Sequence, residues 1–158
     1  MKYTIERYKN CQRFNEQYES IHQFLLEAEK LEYNEHFHWG RFEWMHAHSY
    51  LDEDQLTSIV MFKDENGAVV GLATYDTSYD DRVYLIHTSL DKVLLERMVD
   101  TILEAEGDSA VIKVNSKDTG EFPAFLSEMQ TGNTGHHQRT EYICYHRARR
   151  IRRRADNP

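Results

Sequence analysis

Two apolar runs in the middle of the chain flank a polar turn and predict a β-hairpin. The turn, residues 64–67, reads DENG, and Asn-Gly between apolar runs is a strong hairpin signal. A third apolar run, 82–88, precedes a segment, 90–106, in which apolar residues recur every three or four positions. The pattern therefore predicts a three-stranded meander that leads into a helix.

The same spacing predicts two helices before the meander. The first spans 12–31, with Asn10 as its N-cap, and carries an apolar face of Phe14, Tyr18, Ile21, Leu25, Ala28 and Leu31. The second lies in the aromatic and histidine-rich stretch 36–50, followed by a short polar helix or turn. Gly71, inside the run 68–77, predicts a bulge or a close backbone approach.

The complete pattern predicts a mixed α+β fold with the element order β-α-α-β-β-β-α-β-α-β. The strand over 109–115 follows a helix and is expected to run parallel to the strand over 82–88. A short helix is expected over 123–129, where Pro123 suits a first helical turn. The predicted strands span 3–8, 58–63, 68–77, 82–88, 109–115 and 140–146.

The length of 158 residues favours one domain, which we assign to 1–148. The net charge is −8, although the last ten residues carry five arginines and one aspartate. We expect 149–158 to be a basic, disordered tail, while the acidic body makes nucleic acid an unlikely partner. Without a signal peptide or an apolar run of membrane-spanning length, the expected location is the cytoplasm, with no membrane partner.

Neither the cysteines nor the histidines form a motif of catalysis or metal binding. Cys11 and Cys144 lie far apart and are expected to be small apolar fillers. The chain has nine histidines but no HExxH motif, and two histidines at i and i+2 do not share a helical face. We therefore predict no metal site.

Two stretches resemble the GNAT (Gcn5-related N-acetyltransferase) superfamily. The stretch 39–76 is similar to a sequence pattern found in the N-terminal domain of bacterial tandem-GNAT proteins. The second stretch, 83–106, occupies the position of the acetyl-CoA strand and helix in that family. The matching residues of the first stretch are Trp39, Arg41, Phe42, Glu43, Trp44, Met45, His48, Leu51, Asp52, Asp64, Gly67, Val70, Gly71 and Ala73.

The resemblance implies where acetyl-CoA would bind. In the family, the pantetheine pairs with the fourth strand, and a glycine-rich loop at the next helix N-terminus holds the pyrophosphate. The cofactor-binding residues implied here are Tyr84, Leu85, Ile86, His87, Ser89, Lys92 and Asn115. If the chain is active, Glu43 or His87 is the candidate base, Tyr84 or Tyr75 the candidate acid, and a small-molecule or protein amine the acceptor.

The sequence departs from that family at two motifs. The turn 87–93 reads HTSLDKV, with neither glycine nor arginine, and Asp91 puts a negative charge at the diphosphate position. The segment 122–130 lacks the tyrosine that often protonates the departing thiolate.

Three hypotheses follow from these observations. The first is a degenerate acetyltransferase-like domain with weak or lost acetyl-CoA binding, which serves as a structural or partner-binding unit. Its expected partner is a second GNAT domain or a second copy in a homodimer. The second is an active N-acetyltransferase, and the third, based only on the arginine-rich tail, is a nucleic-acid module.

Overall fold

The computed structural model describes residues 2–9, 11–34, 37–78, 82–106, 111–114, 141–144 and 149–151. These residues form a mixed α+β fold. The strands are β1 (Thr4–Arg7), β2 (Val60–Lys63), β3 (Val69–Thr74), β4 (Arg82–His87), β5 (Val111–Val114), β6 (Glu141–Cys144) and β7 (Arg149–Ile151). The helices are α1 (Glu16–Leu31), α2 (Trp39–Ala47) and α3 (Lys92–Glu106), with a 3-10 helix at Glu53–Ser58.

The strands lie side by side in chain order. The first four pair antiparallel, β4 pairs parallel with β5, and these five form a mixed sheet. Strand β6 extends it in parallel and β7 in antiparallel. The predicted parallel pairing of the strands after and before α3 is thus confirmed. Three residues of the predicted tail, Arg149–Ile151, form β7, whereas the predicted helix over 123–129 lies outside the described residues.

The hairpin between β2 and β3 forms as its sequence predicts. The Asp64 amide donates to the Ala68 carbonyl at 2.9 Å, and the Asn66 and Ala68 amides donate to Asp64 Oδ1. Gly67 has φ +81°, a left-handed conformation that costs glycine little.

Gly71 accounts for both features predicted of it. Phe62 pairs with Gly71 while Lys63 pairs with Val69, so Val70 is the extra residue of a β-bulge. A Cβ at Gly71 would lie 2.8 Å from Met98 Sδ, closer than van der Waals contact allows. The absent side chain therefore lets α3 approach the sheet.

The sheet separates two apolar cores. On one face, α3 packs Leu94, Met98 and Ile102 against the strands. On the other face, α1 and α2 bury an apolar core that is rich in aromatic residues and includes Phe37, Phe42, Met45 and Tyr75. Strand β4 contributes side chains to both cores, which fixes the position of the turn that follows it.

The first helix begins later than predicted. Asn15, not Asn10, is the N-cap, and its side chain accepts a hydrogen bond from the Tyr18 amide. The preceding residues are held by the buried Tyr8 hydroxyl, which donates to the carbonyls of Gln12 and Arg13. Phe14 therefore precedes the helix and is 55% exposed, not part of its buried face. Leu31, at the other end of that predicted face, is also exposed.

Cys11 is exposed, so the prediction that it fills an apolar core is wrong. The side chain of Cys144 lies outside the described part of the chain. None of the helices that the structure describes is long and apolar enough to span a bilayer.

Candidate functional site

A cleft of about 230 Å³ opens between the C-terminal end of α1 and the turn that joins β4 to α3. Leu25, Phe37, Leu85 and Ile86 contribute apolar walls. The polar residues of the lining are Glu29, Glu32, Asn34, His38, His87, Thr88 and Ser89. The cleft thus combines apolar walls with two carboxylates and lies beside the strand that the sequence singles out.

The pairing of β4 with β5 stops short of the cleft. Among the described residues, the ladder runs from Arg82–Val111 to Tyr84–Lys113, although β4 continues to His87. On the other side, the last three residues of β4 all pair with β3, from Ala73–Leu85 to Gly71–His87. The end of β4 therefore presents one edge that no described strand of the sheet covers.

The N-terminus of α3 is capped by its own aspartate. Asp91 Oδ1 accepts a hydrogen bond of 2.8 Å from the Val93 amide, and the Leu94 amide also donates to this carboxylate. The Asp91 amide in turn donates to Ser89 Oγ at 3.2 Å, and the Thr88 amide donates to the Val70 carbonyl at 3.1 Å. Four amides of this turn are thus used within the protein.

A tyrosine near the N-terminus of the chain holds the capping carboxylate. The buried Tyr3 hydroxyl donates a hydrogen bond of 2.8 Å to Asp91 Oδ2. This bond, followed by that from the Val93 amide, lowers the pKa of Asp91 below its usual value. Burial, followed by the bond to Asp91, raises the pKa of Tyr3 to about 12. The positive end of α3 therefore carries a fixed anion.

This turn does not fit acetyl-CoA as the family holds it. A diphosphate at a helix N-terminus needs free amides, and those of Val93 and Leu94 already bind the Asp91 carboxylate. A second anion at that place would also be repelled by Asp91. The residues present thus oppose the cofactor that the resemblance implies.

Most of the predicted cofactor-binding residues lie at the cleft. Leu85, Ile86, His87 and Ser89 line it. Lys92 is the first residue of α3 and is exposed, outside the lining. Asn115 lies outside the described residues.

The three predicted catalytic residues are not brought together. His87 lines the cleft, whereas the Tyr84 ring packs on Phe37 with centroids 5.3 Å apart and is absent from the lining. Glu43 is exposed on α2, where its Oε2 lies 3.5 Å from His22 Nε2, and it too is absent from the lining. No proton relay through all three follows from this arrangement.

Tyr75, the other predicted acid, is buried beneath α2. Its hydroxyl donates to the Asp52 carbonyl at 2.6 Å, and burial raises its pKa. A buried tyrosine with a raised pKa and an engaged proton is a structural group, so Tyr75 does not serve the cleft.

Sequence reasoning missed a buried lysine beside β4. Lys113 is 8% exposed, and its Nζ lies 3.4 Å from the Tyr84 hydroxyl and 5.0 Å from the centre of that ring. A lysine inside the apolar run 111–114 was the available signal. Glu29 and Glu32 were missed because they look like ordinary surface residues of a helix end.

The described histidines do not cluster with other ligands. Within the described ranges, no group of three or more His, Cys, Asp or Glu side chains is placed to hold a metal ion. His46 is fully buried among aromatic rings, with Nδ1 on the Phe42 carbonyl. Burial lowers its pKa to about 4, so it is neutral at physiological pH.

Comparisons of the whole chain with protein-family models, with curated protein sequences and with solved structures find no match.

Proposed function

We propose that this chain is a degenerate acetyltransferase-like domain that does not use acetyl-CoA and serves as a structural or partner-binding unit. The observation that carries the proposal is the internal occupation of the α3 N-terminus by Asp91. A loop that binds a diphosphate leaves its backbone amides free to donate to the ligand, whereas amides of this turn donate to the Asp91 carboxylate.

The cleft supports a binding role more than a chemical one. Its lining includes His87 but neither Tyr84 nor Glu43, so a base and an acid do not converge on one point. Its apolar walls and its opening beside the exposed Leu31 and Leu90 suit a side chain of a protein partner. A second GNAT-like domain or a second copy of this chain is the partner that the resemblance favours.

An active N-acetyltransferase remains the alternative, and one observation favours it. Among the described residues, the β4–β5 ladder ends at Tyr84–Lys113, so no described strand pairs with this edge of Leu85 and Ile86 beside the cleft. In that case the backbone of β4, rather than the turn, would have to supply most of the affinity for the coenzyme.

Calorimetric titration with acetyl-CoA separates the two functions. We expect no heat of binding from the full chain at millimolar coenzyme. An affinity of tens of micromolar or tighter would contradict the proposal. A variant with Asp91→Asn tests the cause, with Asp100→Asn as the control, because it removes the same charge from an exposed site further along α3. Detectable binding by Asp91→Asn but not by Asp100→Asn would assign the loss to the cap.

A further inference from the structure

A ladder of rings and one guanidinium runs along the outer side of α2 and into the next turn. The Arg41 guanidinium lies 4.2 Å from the centre of the Trp44 ring, and the Trp44 and His48 rings are 4.3 Å apart. The Tyr50 ring follows at 5.1 Å from His48. We call Arg41, Trp44, His48 and Tyr50 the aromatic ladder.

The rings of the ladder are exposed to solvent and are not required for the packing of α2. Tyr50 is 80% exposed and Trp44 43%, whereas Phe42 and Met45 of the same helix are fully buried and account for its packing. Tryptophan, tyrosine and arginine are the side chains that dominate binding energy at protein interfaces. The ladder therefore has the composition of a recognition surface.

The surroundings of the ladder are acidic. Arg41 is held by Asp76, whose two oxygens both accept from Arg41 Nε at 3.0 Å. The Asp52 amide donates to the carbonyl of Thr77, which places Asp52 next to that pair. The exposed Glu53 and Asp54 follow Tyr50 closely in the chain.

The carboxylates near this surface favour a positively charged partner. Arg13 pairs with Glu53 and Arg41 with Asp76, whereas Asp52 and Asp54 of the adjoining stretch have no basic partner among the described residues. Guanidinium groups bind the faces of tryptophan and tyrosine, and Arg41 already does so on Trp44. The guanidinium groups of an arginine-rich peptide can stack on the exposed rings and form ion pairs with the carboxylates.

The chain itself carries such a peptide. Residues 147–158 read RARRIRRRADNP, and three consecutive arginines, Arg152, Arg153 and Arg154, follow β7 directly. Arg149–Ile151 are held in β7 at the sheet edge opposite β1, whereas α2 packs with residues of β2 and β3. We therefore propose that the aromatic ladder is the docking site for the arginines that follow β7, Arg152, Arg153 and Arg154, from a second copy of the chain. This surface is separate from the cleft and does not depend on the function proposed for it.

A synthetic peptide of residues 147–158 tests the proposal. It is titrated into the full chain carrying Arg152→Gln, Arg153→Gln and Arg154→Gln, so that the chain's own segment competes less. We expect saturable binding at physiological ionic strength. Tyr50→Ala in that background should weaken it about fivefold, since one ring face that binds a guanidinium is lost. Trp44→Ala, which removes the central ring, should also weaken binding of the peptide.

Two controls distinguish ladder binding from general attraction to an acidic body. Tyr33→Ala removes an aromatic residue of 55% exposure outside the ladder and should leave the affinity unchanged. A peptide with lysine at all six arginine positions has the same charge and should bind about threefold more weakly, because ammonium groups stack less well on rings. Equal affinity of the Tyr50→Ala and Tyr33→Ala variants, or no binding by either peptide, would overturn the proposal.

Discussion

The Tyr3 hydroxyl donates a 2.8 Å hydrogen bond to Asp91 Oδ2, which ties the residue before β1 to the N-cap of α3. The two residues are 88 positions apart in sequence, so the bond forms only in the folded state. It orients the carboxylate so that the other oxygen, Oδ1, receives the Val93 amide. One long-range contact therefore determines what the positive end of α3 binds.

Tyr3→Phe should destabilise the protein in a pH-dependent way. Asp91 has a lowered pKa in the folded state, so its stabilising contribution is present above pH 3.8, the usual value, and is lost as the pH falls through the folded-state pKa. We expect the thermal midpoint of Tyr3→Phe to fall below that of the unsubstituted chain at neutral pH, with a smaller difference below pH 3.8. Thermal unfolding across this range measures the effect.

The matched control for that experiment is Tyr50→Phe, which removes a hydroxyl from an 80% exposed ring. Its thermal midpoint should follow that of the unsubstituted chain at every pH. A difference between Tyr3→Phe and the unsubstituted chain that stays constant down to the most acidic point would show that Asp91 is not the group involved.

His46 should make the fold sensitive to mild acid. Its pKa falls from 6.5 to about 4 on folding, because burial disfavours the charged ring. Its contribution is therefore full above pH 6.5 and is lost as the pH falls toward 4, a total of about 3 kcal/mol. His46→Met keeps the volume and removes the titration, so its unfolding free energy should vary less with pH in this window.

The control is His48→Gln, at a partly exposed histidine two positions further along. Denaturant unfolding at several pH values compares the three proteins. The same pH slope in His46→Met as in the unsubstituted chain would contradict the role given to His46.

Gly71→Ala should lower the free energy of unfolding because the added methyl group would clash with Met98. The added methyl would meet Met98 Sδ at 2.8 Å and Cε at 2.9 Å in a fully packed core. Overpacking of this kind costs about 1–3 kcal/mol. Chemical denaturation measures the loss.

A double-mutant cycle with Met98→Ala identifies the clash as the cause. Met98→Ala removes the two atoms that the new methyl would meet, so the cost of Gly71→Ala should fall by more than half in that background. An unchanged cost would place the strain in the backbone of the bulge instead.

Local features of the fold were predictable from the sequence. The hairpin turn is built from Asp64, Asn66 and Gly67, and the bulge lies beside Gly71, so residues close in sequence carry the information. The helix start was not predictable in this way. Asn10 and Asn15 are both good caps, and the choice is made by Tyr8, which follows β1 and whose hydroxyl holds the intervening carbonyls of Gln12 and Arg13.

The candidate site was predictable only in part. Leu85, Ile86 and His87, which the resemblance singles out, line a cleft, and their role in binding stays a prediction. The bond between Tyr3 and Asp91 has no local signature, since its partners are brought together by the pairing of β1 with β2 in the sheet. Glu43 could not be assigned from helical spacing, which gives its face of α2 but not the neighbour, His22, that it meets.

An amide NMR titration of the ¹⁵N-labelled full chain with acetyl-CoA shows directly whether the N-terminus of α3 is closed to the coenzyme. We predict that the Val93 and Leu94 amide resonances stay in place at millimolar coenzyme, because the Asp91 carboxylate already holds those protons. Large, saturable shifts of these two amides would mean that the coenzyme displaces the carboxylate, and would contradict the account of this chain as a domain closed to acetyl-CoA.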